Sequence, residues 1–198
     1  MEVERLQREW DVVLDWAPFF LDPSIPPEGR TRTPQTTADT PKSALEERGE
    51  RLGIEFRRGR TFTPNTHLAL EAAYWSRETA PSSDEDTAFH YALYRAFFTE
   101  HRDLSNIDVL VELATGVGLD GADLRDALTT GRYRAEVDQG IEHSYAIGVS
   151  AIPTFIINDQ YAVVGAQEYD VLERVMAKLG GRRRDGAPGP ASDLIDFE

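Results

Sequence analysis

Gly148-Val149-Ser150-Ala151-Ile152-Pro153-Thr154-Phe155-Ile156-Ile157-Asn158-Asp159-Gln160-Tyr161-Ala162-Val163-Val164-Gly165 is the stretch whose reading decides the fold. Thr154 to Ile157 is a short apolar run rich in β-branched and aromatic residues, the pattern of a buried strand. Asn158-Asp159-Gln160 is a tight-turn cluster, and Tyr161 to Val164 follows as the hairpin partner. Gly165 ends the second strand, and Gly148 stops whatever precedes the first. Pro153 stands directly before a buried strand with small residues upstream, which suits a fixed tight turn.

Beyond the hairpin, Tyr169, Leu172, Val175, Met176 and Leu179 fall on one face of a closing amphipathic helix. Residues 180–198, GGRRRDGAPGPASDLIDFE, are rich in glycine, proline and charge and read as a disordered tail. Within it, Arg182-Arg183-Arg184 reads as solvated, and SDLIDFE is a weaker candidate for a partner-binding peptide.

Upstream of Gly148 the period is helical. Tyr133, Val137, Ile141 and Tyr145 step along one helix, and Asp120 caps another carrying Leu124 and Leu128. Ser105-x-x-Asp108 and Ser82-x-x-Glu85 have the form of capping boxes. Thr63-Pro64 reads as an N-cap with proline at the first helical position. Ser43 to Leu52 is a short charged helix ended by Gly53. The aromatic series Tyr74, Trp75, Phe89, Tyr91, Phe97 and Phe98 has helical spacing and is expected in the core. Residues 22–41 hold six of the prolines and glycines that break regular structure and form an irregular loop. Before them, Val12 to Phe19 reads as a mostly buried strand with Pro18 at its exit, and Val3 and Leu6 mark the end of an amphipathic helix.

Composition narrows the function. The 198 residues include no cysteine, which excludes a disulfide framework, a thiolate metal site and any CxxC pair within the chain. Lys+Arg 21 against Asp+Glu 35 leaves −14, so phosphate backbones and anionic lipid are disfavoured partners. No apolar run approaches the ~20 residues that span a bilayer, and the start lacks a signal-peptide pattern, so the expected compartment is the cytoplasm. His67, His90, His101 and His143 show no metal-site spacing, and no metal or cofactor is expected.

The order helix end, strand, helical block, hairpin, helix resembles the DsbA family of thioredoxin-fold proteins, in its FrnE-like branch. That branch is related to the hydroxychromene-carboxylate isomerases and kappa-class glutathione transferases. Three stretches carry the likeness: Trp16 to Pro23 with Pro27-Glu28-Gly29; Asn65-Thr66-His67 with Ala88, Ala96, Phe97-Phe98 and Asp103-Leu104-Ser105; and Gly148 to Phe155 with Asn158, Tyr161-Ala162-Val163 and Gly165-Ala166-Gln167. The resemblance implies an α/β, thioredoxin-like fold with an all-helical insertion. It divides the chain into a partial thioredoxin-like half at 1–34, an insertion at 35–147, a hairpin and helix at 148–180, and the tail at 181–198. It also implies that Ile152-Pro153 is a cis-proline loop, with Ser150, Ala151, Ile152, Pro153 and Thr154 receiving an extended peptide and Trp16, Phe19 and His67 as further candidates to line the site. His67 is otherwise read as a packing or capping residue.

The family's first, central strand and its CxxC fall before Met1 by this alignment. The chain is therefore expected to be catalytically inactive as written, with no catalytic residue assigned. Val12–Phe19 and Thr154–Ile157 would then face a gap of about 10 Å, two strand spacings. Three ways to fill it remain open: an upstream extension of the natural protein, a rearrangement or a strand donated in a homodimer, or Leu194-Ile195-Asp196-Phe197 from the tail. The functional alternatives are a non-enzymatic module or dimer that accepts a strand, and a glutathione-dependent isomerase or transferase.

Overall fold

A computed structural model describes residues 2–187. Its elements in chain order are α1 (Glu2–Glu9), β1 (Arg30–Thr31), α2 (Ala44–Arg51), β2 (Phe62–Thr63), α3 (His67–Thr79), α4 (Ser83–Phe98), α5 (Ile107–Gly116), α6 (Gly121–Thr130), α7 (Arg134–Ala146), β3 (Thr154–Ile157), β4 (Tyr161–Val164) and α8 (Tyr169–Lys178). The described residues divide into two compact units, residues 18–147 and residues 2–17 with 148–187.

The helical unit is built where caps and apolar stripes agree. Ser43 closes a full capping box with Glu46 at the start of α2. Asp120 accepts from the backbone of Ala122 and Asp123 to open α6, and Gly131 ends that helix in the left-handed region at φ 65°. Two predicted starts shift. α3 begins at His67 rather than after Thr63, because Phe62–Thr63 pairs with Arg30–Thr31 as a two-stranded ribbon. α5 is capped by Asn106, not Ser105, whose hydroxyl is turned to Asp103. Trp75, Phe89, Leu93, Leu110, Ala114 and Leu124 bury the faces of α3 to α6 in one core. The aromatic stripe is not all core, however: Trp75 and Phe89 are buried, whereas Tyr91 and Phe98 are each 37% exposed.

The second unit pairs β3 with β4 antiparallel, Thr154 opposite Val164 and Ile157 opposite Tyr161. Asn158 and Asp159 both take positive φ (52° and 55°) within a three-residue connection, which Gln160 closes by donating its N–H to the Ile157 carbonyl at 3.2 Å. The expected burial of β3 does not hold in full, since Ile156 is 43% exposed.

Two readings of this unit are corrected. Val12–Phe19 is not a strand: the segment carries no ladder, and Val13 is 97% exposed. A strand needs a neighbour for its backbone groups, and no strand of the described residues lies beside this one. Pairing falls instead at Trp10 and Arg183, flanked by Asp11 N–H donating to the Arg182 carbonyl and Arg184 N–H donating to the Glu9 carbonyl, both at 2.8–2.9 Å. Arg182 and Arg184 keep exposed side chains, as a solvated run would, but Arg183 does not. Arg183 is ion-paired with Glu173 and, at 3.5 Å, with Glu9, and it lies over the Trp10 ring. The tail segment Leu194–Phe197 lies outside the described residues.

Buried Glu9 would be costly if left alone. It accepts from the Tyr169 hydroxyl at 2.7 Å and from Arg5 at 2.7 Å, and Trp10 Nε1 donates to the same hydroxyl at 3.2 Å. Burial works to raise the Glu9 pKa, but the bonds from Arg5 and Tyr169 outweigh it and hold the carboxylate below its ordinary value. Burial and the neighbouring Glu9 carboxylate push the Tyr169 hydroxyl up to about 12.

Candidate functional site

The loop before β3 is fixed from both sides. Gly148 enters it at φ 83°, and the Ile152–Pro153 peptide is cis. Thr154 Oγ1 donates to the Ala151 carbonyl at 2.7 Å, and Gly165 N–H donates to the Pro153 carbonyl at 2.8 Å. With its backbone held this way, the loop presents Ser150, Ile152 and Pro153 to solvent, Ile152 at 52% exposure, while Ala151 and Thr154 are half-buried. Ile156, Ala162 and Val164 continue the exposed surface along one face of the hairpin, because Ile156 stands opposite Ala162 and Val164 opposite Thr154. β3 is hydrogen-bonded to β4 alone among the described residues, so its other edge carries backbone groups with no strand to pair. Trp16 belongs to this same unit and is exposed.

Phe19 and His67 belong to the helical unit. Phe19 is half-buried and meets the edge of the Tyr145 ring, at a centroid distance of 5.3 Å. Tyr145 donates to the Phe20 carbonyl and Ser144 to the Pro18 carbonyl, which fastens this strip of chain along α7. Gly140 permits the approach: a Cβ there would stand 2.6 Å from Pro18 Cγ.

His67 is clamped between two carboxylates. Its Nδ1 lies 3.0 Å from Glu71 Oε1 and its Nε2 2.7 Å from Asp138 Oδ1, with Phe20 edge-on to the ring. The Glu71 bond first, opposed by burial and aided by Asp138, raises the His67 pKa. Asn65 holds the start of α3 by accepting from His67 N–H at 2.9 Å and donating to the Ile25 carbonyl at 2.8 Å. Glu71 Oε2 is buried and has no hydrogen-bond partner among the described residues. The sequence reading missed Glu71 and Asp138 as partners of His67. The i,i+4 spacing from His67 to Glu71 is a visible signal, whereas Asp138 comes from another helix and is not.

These elements match a known family along nearly the whole chain. The model of the DsbA-like thioredoxin domain matches residues 1–177. The chain is 32% identical over 169 residues to the uncharacterised protein YwbO of Bacillus subtilis, covering 84% of this chain and 82% of that protein. Among solved structures, a probable DsbA oxidoreductase from Streptomyces coelicolor superposes with a TM-score of 0.61 at 26% identity. The match covers 77% of this chain and 62% of that one, so the chain spans less than two thirds of that structure's length. A second structure, from Nitrosomonas europaea, agrees in fold alone, at 15% identity and a TM-score of 0.53 over 71% of this chain and 76% of that one.

The class is therefore a thioredoxin-like α/β protein with a helical insertion, as the hairpin stretch leads one to expect. The chain belongs to the DsbA-like thioredoxin family. The 198 residues contain no cysteine, so they supply no sulfur nucleophile for the exchange chemistry after which that family is named.

Proposed function

We propose that this chain is a DsbA-family protein that binds an extended peptide or protein segment along Ser150–Thr154 and β3, without thiol–disulfide exchange through its own residues. The supporting observation is the conjunction at β3: an edge with no strand partner among the described residues, continued by exposed Ile152, Ile156 and Val164. An extended segment laid there gains main-chain hydrogen bonds from the edge and apolar contact from alternate side chains. The reading rests on the absence of cysteine for its second half, since only a thiolate attacks a disulfide.

The test uses the purified chain and fluorescently labelled peptides of alternating apolar and polar residues, followed by polarisation. Saturable binding is expected, lost in Ile152→Asp and in Ile156→Lys. The purified chain is expected to give no thiol-dependent insulin reduction. Measurable turnover, or peptide binding indifferent to both substitutions, contradicts the proposal. A second copy of the chain is the rival occupant of the edge. Concentration-dependent dimerisation that the same substitutions abolish, without peptide binding, would replace the peptide reading with that one.

A further inference from the structure

Four arginines stand around one open cleft of the helical unit, and three of them have no counter-ion among the described residues. The cleft has a volume of about 360 Å³ and is lined by Arg32, Arg57 and Arg60 together with Phe56, Phe97 and Phe98. The fourth arginine, Arg58, is neutralised by Glu46, the one carboxylate on the wall, at 2.6 Å. No carboxylate lies within ion-pair distance of Arg32, Arg57 or Arg60 among the described residues. In a chain with net charge −14, three uncompensated cations on one wall are a local reversal of the overall field.

The cleft is built, not improvised from mobile side chains. Its floor segment, residues 55–60, is tied to the end of α4 by four contacts. Arg57 N–H donates to the Phe98 carbonyl at 3.0 Å, and Thr99 Oγ1 to the Glu55 carbonyl at 2.7 Å. His101, in the left-handed region at φ 57°, sets Nε2 2.8 Å from the Arg57 carbonyl. Arg60 donates to the Phe97 carbonyl and sets its guanidinium carbon over the Phe97 ring, 3.9 Å from the centroid. The three rings pack edge to face, Phe56 with Phe98 at 5.3 Å and Phe97 with Phe98 at 4.8 Å, and leave Phe98 partly open to solvent.

Such an arrangement works against stability in the empty protein. Burial first, and then Arg32, lowers the Arg60 pKa, and Arg60 and Arg57 add to the burial that lowers His101. Like charges gathered beside a partly exposed aromatic cluster are explained by what they could hold. A single carboxylate would neutralise only one of them. Guanidinium forks match the oxygens of a phosphate, which carries close to two charges, and the rings offer faces and edges to a flat apolar body.

We propose that this cleft binds a phosphomonoester of a flat aromatic group, the phosphate held by Arg32, Arg57 and Arg60 and the ring system packed against Phe97 and Phe98. The cleft belongs to the helical unit, and the proposal does not depend on the peptide reading.

The experiment titrates the full chain by isothermal calorimetry with 1-naphthyl phosphate, 1-naphthoate, 1-naphthol and inorganic phosphate. Naphthyl phosphate is expected to bind saturably, with each of the other three weaker by at least about tenfold, because each lacks either the second charge or the ring. Arg32→Glu combined with Arg57→Glu should weaken naphthyl phosphate by at least about tenfold while the circular dichroism spectrum stays unchanged. Phe98→Ala, a milder change at a partly exposed ring, should weaken it as well, whereas Arg174→Ala in the other unit should not. Naphthol or naphthoate binding as tightly as the phosphate ester, or a well-folded double variant binding as tightly as the parent, overturns the proposal.

Discussion

Residues 18–147 and the unit of residues 2–17 with 148–187 solve the same burial problem in different ways. The helical unit closes a core of large apolar side chains, with Trp75, Phe89, Leu110 and Leu124 at or near zero exposure, and buries one carboxylate, Glu71, against His67. The other unit buries Trp10, Tyr169, Leu172 and Met176 but also Glu9 and Glu173, which it must compensate with Arg5, Arg183 and the Tyr169 hydroxyl. It leaves its hairpin partly uncovered, with an edge that no described strand pairs. Apolar burial needs only shape and volume, whereas a buried carboxylate needs every one of its partners. Both units thus bury a carboxylate, but the helical unit sets Glu71 beside a large apolar core. The other unit has fewer large buried side chains and joins Glu9 and Glu173 through Arg183 while exposing its hairpin.

Substitutions can break that contrast in graded steps. Phe89→Ala removes a fully buried ring from the helical core and should lower stability by about 3–5 kcal/mol, read from denaturant unfolding. Tyr169→Phe is nearly isosteric but strips Glu9 and Trp10 of a hydrogen-bond partner, and should cost about 1–3 kcal/mol in the other unit. If Tyr169→Phe is neutral, the polar network is not what holds that unit together.

A smaller effect concerns the His67 clamp. Its raised pKa means the folded state binds the proton more tightly than the unfolded state does. The stabilisation is complete below the ordinary histidine value and is lost as pH rises through the raised one. Unfolding midpoints should fall across that window in the parent and stay flat in His67→Gln. Smallest of all is Ile156→Lys, which changes a side chain already 43% exposed and should move stability by no more than about 0.5 kcal/mol. A large loss there would mean the hairpin face is covered, and would remove the surface the peptide reading needs.

The sequence made the hairpin and the capped helices readable because each rests on local chemistry. The Asn158-Asp159 turn, the Ser43 capping box and the Asp120 cap all formed within a few residues of the side chains that specify them. The misread elements depend on distant partners. Val12–Phe19 has strand composition, but a strand also needs a neighbour, and the chain pairs Trp10 with Arg183 instead. Thr63-Pro64 has the form of a helix start, yet Arg30–Thr31 takes Phe62–Thr63 as a ribbon. Nothing local in the sequence marks Arg32, Arg57 and Arg60 as a set; only the fold brings Arg32 beside the other two. The loop at Pro153 was legible from its family likeness, while the two carboxylates on His67 were legible only in part, by the spacing of Glu71.

Amide hydrogen exchange along residues 150–164, with and without a saturating extended apolar peptide, tests the central claim most directly. The account predicts peptide-induced protection concentrated at Thr154–Ile157, with none in Ile156→Lys. Unchanged exchange in β3 while the peptide is bound would place the binding surface elsewhere and contradict it.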